Sequence, residues 1–124
     1  MSSSKPAHVL VVEDNEHVTS ALRILLEAAD HRVSIAGSIA EALAVAQSDS
    51  AALVLLDLTL PDGDGLSLLP ALRAAGSGAI VALTGHDDSE TRQRCLEAGC
   101  VDVLVKPVPA RELVRRAGEW LSKA

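Results

Sequence analysis

From His8 onward, unbroken apolar runs alternate with segments whose apolar residues recur at three- and four-residue intervals. HVLVV (8–12) carries no polar alternation along its last four residues, the pattern of a strand covered on both faces. The spacing then predicts a helix over about 15–29, with Val18, Leu22, Leu25 and Ala29 on its inner face. RVSIA (32–36) alternates and predicts a second strand nearer an edge. Ser38, with Glu41 three residues on, forms a capping-box signature for a helix over 39–48 whose inner face carries Ile39, Leu43 and Ala46. ALVLLD (52–57) is the third strand, continuous and apolar. LTLPDGDG (58–65) is rich in turn formers and predicts a loop, followed by a helix over about 65–75 with Leu66, Leu69 and Leu72 inward. AIVAL (79–83) and DVLV (102–105) are the fourth and fifth strands. Between them a helix over 89–98 ends at Gly99, which suits the left-handed position past a helix terminus. Pro109 fits the first turn of a last helix to 122, with Leu113, Ala117 and Leu121 inward.

Five strand–helix units joined by short loops imply an α/β fold: a single doubly wound (βα)5 domain, a parallel sheet with helices on both faces. The fourth helix has only Cys95, Leu96 and Ala98 to bury, so it is the element expected to move most readily.

Composition narrows the picture. The chain has 124 residues, of which 48% are hydrophobic, enough for one domain with one core, and Trp120 is its single aromatic. Val, Leu, Ile and Ala must fill the interior. A net charge of −6 without a basic run argues against nucleic acid or an anionic membrane as a direct partner, since both require a positive footprint. Cys95 and Cys100 match neither a C-x-x-C nor a zinc pattern, and they read as free thiols in a reducing cytoplasm. No stretch reaches the ~20 apolar residues of a membrane span, and the opening MSSSKPA lacks a signal-peptide core. Residues 1–7 are expected to be a disordered lead-in to a domain over 8–124. His8, His17 and His31 read as surface residues, and Asp62, Asp64, Asp87 and Asp88 as solvating loop acids. DGDG lacks the alternating ligands and distal Glu of a calcium loop.

Ligands of doubly wound sheets bind where the parallel strands end. The first strand ends in Glu13 and Asp14, the third in Asp57; Thr84 follows the fourth and Lys106 the fifth. Taken singly, Glu13 and Asp14 are helix-start acids, Asp57 a loop acid, Thr84 a turn residue and Lys106 a solvated lysine. Together they put three carboxylates, a hydroxyl and an ammonium on one rim. Three acids that close repel unless a cation neutralises them, and a hard divalent ion such as Mg2+ prefers oxygen ligands. Metal, ammonium and hydroxyl together suit a transferring phosphoryl group, and one carboxylate can itself be the nucleophile that forms an acyl phosphate. Asp57, alone at the end of a central strand, is the candidate.

VLVVEDN, LVLLDLTLPDGDGL, ALTGH and LEAGCVDVLVKP, in this order and spacing, resemble the receiver domains (CheY-like) of two-component response regulators, over residues 8 to about 122. The resemblance implies a flavodoxin-like sheet in strand order 2-1-3-4-5. It makes Asp57 the phosphoacceptor and assigns Mg2+ to Glu13, Asp14, Asp57 and the backbone carbonyl of Thr59. Thr84 becomes the switch hydroxyl, Gly85 the small residue that leaves room for it, and Lys106 the ammonium paired with the phosphoryl group. Pro61 and Gly65 shape the pocket, and the Lys106–Pro107 bond would be cis. Thr59 and His86 occupy positions that tune hydrolysis in the family. The family often carries an aromatic switch residue three positions before the lysine; here that position is Val103, which leaves movement of the loop and fourth helix to carry the output.

The function this implies is a phosphoacceptor in a His-to-Asp phosphorelay, a signalling protein and not a turnover enzyme, taking its phosphoryl group from a histidine kinase or histidine phosphotransfer protein in the cytoplasm. Downstream proteins would meet the face formed by the fourth helix, fifth strand and fifth helix, with Val103 and its neighbours as an apolar centre. A degenerate receiver that binds partners without phosphorylation is the alternative. An aspartate-nucleophile phosphohydrolase would carry an acid two residues after the nucleophile, where this chain has Thr59; a dinucleotide-binding module would carry G-x-G-x-x-G after the first strand. The chain stops after the fifth helix, consistent with a single-domain regulator or with a piece of a larger protein.

Overall fold

The computed structural model describes residues 6–122. Residues 1–5 of the anticipated lead-in lie outside the described residues; Ala7 is already tied down, donating its N–H to His31 Nδ1 at 3.2 Å and accepting from Arg32 N at 2.9 Å.

The elements run β1 (His8–Val12), α1 (Glu16–Ala28), β2 (Arg32–Ala36), α2 (Ile39–Ser48), β3 (Leu53–Asp57), a small hairpin of β4 (Thr59–Leu60) and β5 (Gly63–Asp64), a 3-10 turn (Gly65–Leu68), α3 (Leu69–Ala74), β6 (Ala79–Thr84), α4 (Ser89–Ala98), β7 (Asp102–Val105) and α5 (Ala110–Ser122). Five strands form one parallel sheet in the order β2-β1-β3-β6-β7, the expected 2-1-3-4-5 once the hairpin is set aside. β1 pairs with β2 from His8↔Arg32 to Val12↔Ala36 and with β3 from Val9↔Leu53 to Val12↔Leu56. β3 pairs with β6 up to Asp57↔Leu83, and β6 with β7 up to Thr84↔Val105. β1, β3 and β6 are buried along their whole length because helices cover both faces.

The pleat divides the core in two. Leu10, Val12, Val54, Leu56, Ile80 and Ala82 point to the side of α2, α3 and α4, where Ala42, Ala46, Leu69, Leu72 and Cys95 meet them. Val9, Val11, Leu53, Leu55, Val81 and Leu83 point to the side of α1 and α5, against Leu22, Leu26, Leu113, Ala117 and Trp120.

Several local expectations shift. The inner stripe of α1 is Thr19, Leu22 and Leu26, not Val18, Leu25 and Ala29; Thr19 tolerates burial because its hydroxyl donates to Glu16 O at 3.2 Å. Trp120 joins Leu113 and Ala117 on the buried face of α5, and Leu121 packs only partly against it. The loop at 58–65 contains the β4–β5 hairpin, and the third helix opens as a 3-10 turn capped by Asp64, whose carboxylate accepts Leu66 N–H at 3.0 Å. His8 is buried, not exposed: its ring lies 2.7 Å from Ser34 Oγ and 3.1 Å from Ser50 O, stitching β1 to β2 and to the approach of β3. Gly99 ends α4 at φ +115°, as anticipated. Leu96, expected inside, is half exposed, which leaves Cys95 as the one buried residue of α4.

Candidate functional site

Four of the five strand-end residues, Glu13, Asp14, Asp57 and Lys106, meet, and Thr84 ends the strand next to that of Asp57. Glu13, Asp57 and Thr84 are each 3% exposed and form a pocket floor, while Asp14 stands exposed at its edge. Lys106 reaches across from β7 to place Nζ 2.9 Å from Asp57 Oδ2 and 3.1 Å from Glu13 Oε1. Glu13, Asp14 and Asp57 each offer an oxygen within 4.8 Å of the others'.

Local backbone sets each side chain. Glu13 continues β1 beyond Val12: its N–H donates to Ala36 O at 2.9 Å. The chain then turns, and Asn15, not Glu13 or Asp14, caps α1 by accepting from His17 N and Val18 N. Asn15 also donates its own N–H to Glu13 Oε2 at 3.0 Å, fixing that carboxylate. Asp57 Oδ1 accepts Thr59 N–H at 3.1 Å, while Oδ2 faces the lysine, so the two oxygens have different partners. Gly65 folds the hairpin back beneath Asp57. A Cβ there would lie 2.4 Å from Asp57 O, and Gly65 N–H bonds Leu58 O at 2.8 Å. Thr84 O accepts Lys106 N–H at 2.7 Å, which sets where the lysine leaves the sheet, and the Lys106–Pro107 bond is cis. The Thr84 hydroxyl accepts His86 N–H at 3.0 Å. Nothing lies within 4 Å of a Cβ built on Gly85, so the space beside Thr84 is open.

Burial, the largest influence, pushes the Glu13 carboxyl above its usual range; Asn15 N–H and the Lys106 ammonium oppose that, and Asp57 adds repulsion. On Lys106, burial works against the charge but is outweighed by hydrogen bonds to Asp57 and Glu13, which hold the ammonium above the ordinary lysine value. The lysine is therefore a permanent cation between two acids. It leaves a net negative charge among three carboxylates, which a divalent ion with oxygen preference matches. An exposed groove of about 310 Å³ opens beside Thr59, Gly63, Asp64, Thr84, His86 and Arg94. A second, acidic one of about 340 Å³ lies over Glu13, Asp14, Glu16 and Glu41.

Three acids expected merely to solvate loops have definite partners. Asp62 accepts Ile39 N–H at 2.8 Å and Ala40 N–H at 3.2 Å, tying the hairpin to the start of α2. Asp64 also pairs with Arg94 of α4 at 3.0 Å. Asp88 caps α4 through Thr91 N–H at 2.7 Å. A capping residue followed by a helical pattern was the available signal for Asp88; the partners of Asp62 lie too far along the chain to be read. Val103 is 2% exposed and belongs to the core, so it does not supply an apolar centre for the outer face. Leu96 of α4 and Val101, just before β7, are instead exposed, at 47% and 55%.

A parallel sheet in this order, with acids and lysine gathered at its carboxyl rim, defines a receiver-type fold. The chain belongs to the response regulator receiver domain family, whose model matches residues 9–117. It is 37% identical over 116 residues to the TorCAD operon transcriptional regulatory protein TorR of Escherichia coli (strain K12), covering 94% of this chain and 50% of that protein. It is 42% identical over 110 residues to the swarming motility regulation protein RssB of Serratia marcescens, covering 88% of this chain and 50% of that protein. The chain thus spans about half the length of the curated relatives it matches. Among solved structures it superposes on a CheY-like receiver domain protein from Methanospirillum hungatei JF-1 with a TM-score of 0.87 at 28% identity, covering 96% of each chain. The non-phosphorylated HemR receiver domain from Leptospira biflexa matches with a TM-score of 0.85 at 32% identity over 95% of each. Among the described residues no helix is long and apolar enough to cross a membrane.

Proposed function

We propose that the protein accepts a phosphoryl group on Asp57 within a cytoplasmic His-to-Asp relay. The observation that carries this reading is the Lys106 ammonium 2.9 Å from Asp57 Oδ2, in a cluster where Glu13, Asp14 and Asp57 bring their oxygens together. A carboxylate oxygen of Asp57 attacks the phosphorus of a phosphohistidine donor; the O–P bond forms as the P–N bond breaks, and the imidazole leaves. Lys106 neutralises charge on the phosphoryl oxygens throughout. Glu13, Asp14, Asp57 and the carbonyl of Thr59 would hold Mg2+, which when bound supplies the further positive charge that lets phosphate approach an acidic pocket. Thr84 would exchange its bond from His86 N–H for one to a phosphoryl oxygen, and Gly85 leaves it room to do so. The donor is a histidine kinase or phosphotransfer protein. The output partner is a protein that meets the α4–β7–α5 face, centred on Leu96 and Val101. With Val103 already in the core, the signal would pass through the β6–α4 loop and α4.

Incubation with acetyl phosphate and Mg2+, followed by intact-mass measurement, tests this. One phosphoryl adduct, absent in Asp57→Asn and without Mg2+, is expected. Phosphate release without an adduct would favour a phosphohydrolase, and no reaction a phosphorylation-independent binding module.

A further inference from the structure

The phosphorylation site leaves unused the two thiols at the end of α4. Cys95 is 0% and Cys100 is 5% exposed, and both lie in the core cluster beneath α4. Their relation follows from the helix terminus. Gly99 takes the left-handed conformation, and the N–H of Cys100 bonds Cys95 O at 3.0 Å. That six-to-one bond is the mark of a Schellman ending, in which the residue after the left-handed one packs its side chain on the residue whose carbonyl it caps. In most helices that contact is between two hydrocarbon side chains. Here it is between two thiols, and each perturbs the other's ionisation.

We infer that Cys95 and Cys100 are a thiol pair that oxidises to an intramolecular disulfide across the C-terminal cap of α4, making this helix responsive to thiol redox poise. The Cys100 N–H to Cys95 O bond holds the two residues side by side across one turn, and both side chains lie in one core cluster, so closure joins neighbours within the α4 terminus. While α4 is docked the pair is inert: desolvation pushes the Cys100 thiol up to about 12. The reaction therefore runs through opening of α4, the cheapest local opening of the five helices on burial grounds, because Cys95 is its one buried residue. In the docked state the Arg73 guanidinium, 3.5 Å from Gly99 O, favours the Cys100 thiolate against that burial.

The oxidant is a small disulfide such as glutathione disulfide. One cysteine thiolate attacks it, the sulfur–sulfur bond breaks and a glutathione thiolate leaves. The second cysteine thiolate attacks the protein sulfur of the mixed disulfide and expels the other glutathione. Two protein thiols lose two protons and two electrons, and one glutathione disulfide becomes two glutathione thiols. The product ties the last turn of α4 to its cap.

The test uses the whole chain, reduced, then exposed to glutathione disulfide under native conditions, denatured in iodoacetamide and digested with trypsin. Both cysteines fall in the one peptide that begins after Arg94. The expected wild-type peptide is lighter by two hydrogens and takes no iodoacetamide, in a protein that remains monomeric. Cys95→Ala and Cys100→Ala, which lack the resolving thiol, should instead each retain one glutathione. Amide exchange in the last turn of α4 should slow by roughly tenfold in the oxidised protein. A persistent glutathione adduct on the wild type, disulfide-linked dimers, full alkylation after an exposure that oxidises the denatured chain, or unchanged exchange in the last turn of α4 would each overturn the inference. If the alanine variants fail to fold, Cys→Val replacements serve, and the wild-type peptide decides alone.

Discussion

The hydroxyl of Thr84 accepts the backbone N–H of His86 at 3.0 Å. One oxygen thus pins the start of the β6–α4 loop, and a hydroxyl that turns toward a phosphoryl group must give up this position. Loading with beryllofluoride and Mg2+ is expected to shift the His86 amide resonance strongly and speed its hydrogen exchange. In Thr84→Val, which has no acceptor, the amide should already be in its released state and respond little to loading. An unchanged His86 amide in the loaded wild type would remove Thr84 from the switch.

Two glycines beside the site should respond oppositely to an added methyl group. At Gly65 a Cβ would sit 2.4 Å from Asp57 O and 3.2 Å from Leu58 Cα, both backbone atoms that cannot turn aside. Gly65→Ala should destabilise by roughly 1–3 kcal/mol and slow phosphorylation by displacing Asp57. At Gly85 the space is open, and Gly85→Ala should leave thermal stability within ~0.5 kcal/mol of the parent. Thermal melts of both variants, with acetyl phosphate labelling rates, check the contrast.

How much of this could be read from the chain alone differs by element. The central strands were plain because both faces of each are covered, which leaves four or more consecutive apolar residues in β1 and β3. The site was plain for a topological reason: every parallel strand ends on one rim, so the residues after each strand must converge. The phase of α1 was not, since Val18, Ala21, Leu22, Ile24, Leu25 and Leu26 offer more apolar positions than one stripe uses, and the choice falls to packing against α5. The burial of His8 is not legible in the chain, because it depends on Ser34 and Ser50, which reach its ring only once β1, β2 and β3 are side by side. Val103 was placed by its position relative to Lys106, but strand alternation turns it to the core and Leu104 to the opposite face.

Glu13 should be worth more to binding than to folding. Burial raises its proton affinity, so its charge works against the folded state when no cation is present. Glu13→Gln keeps the shape and removes that charge, at the loss of one of the two acceptors that serve Lys106 and Asn15 N–H. Without Mg2+ at neutral pH the variant should melt close to the wild type, the relieved charge burial offsetting the lost hydrogen bond. Added Mg2+ should raise the melting temperature of the wild type and not of the variant. A variant that melts well below the parent without metal would mean that Glu13 is held mainly for its ion pair with Lys106.

Alkaline pH should find Cys100. Burial, which penalises the thiolate, pushes its thiol from 9.0 up to about 12 in the folded protein. The folded state therefore binds the proton more tightly than the unfolded state. The stability this contributes is fully present below pH 9.0 and drains away as pH climbs from there toward 12, because only the unfolded chain gains by ionising. Cys100→Val fills the same apolar site with nothing to titrate. Its melting temperature, compared with that of the reduced wild type, should pull ahead progressively as pH rises above 9.0. Parallel curves for the two proteins across that range would place Cys100 in contact with water.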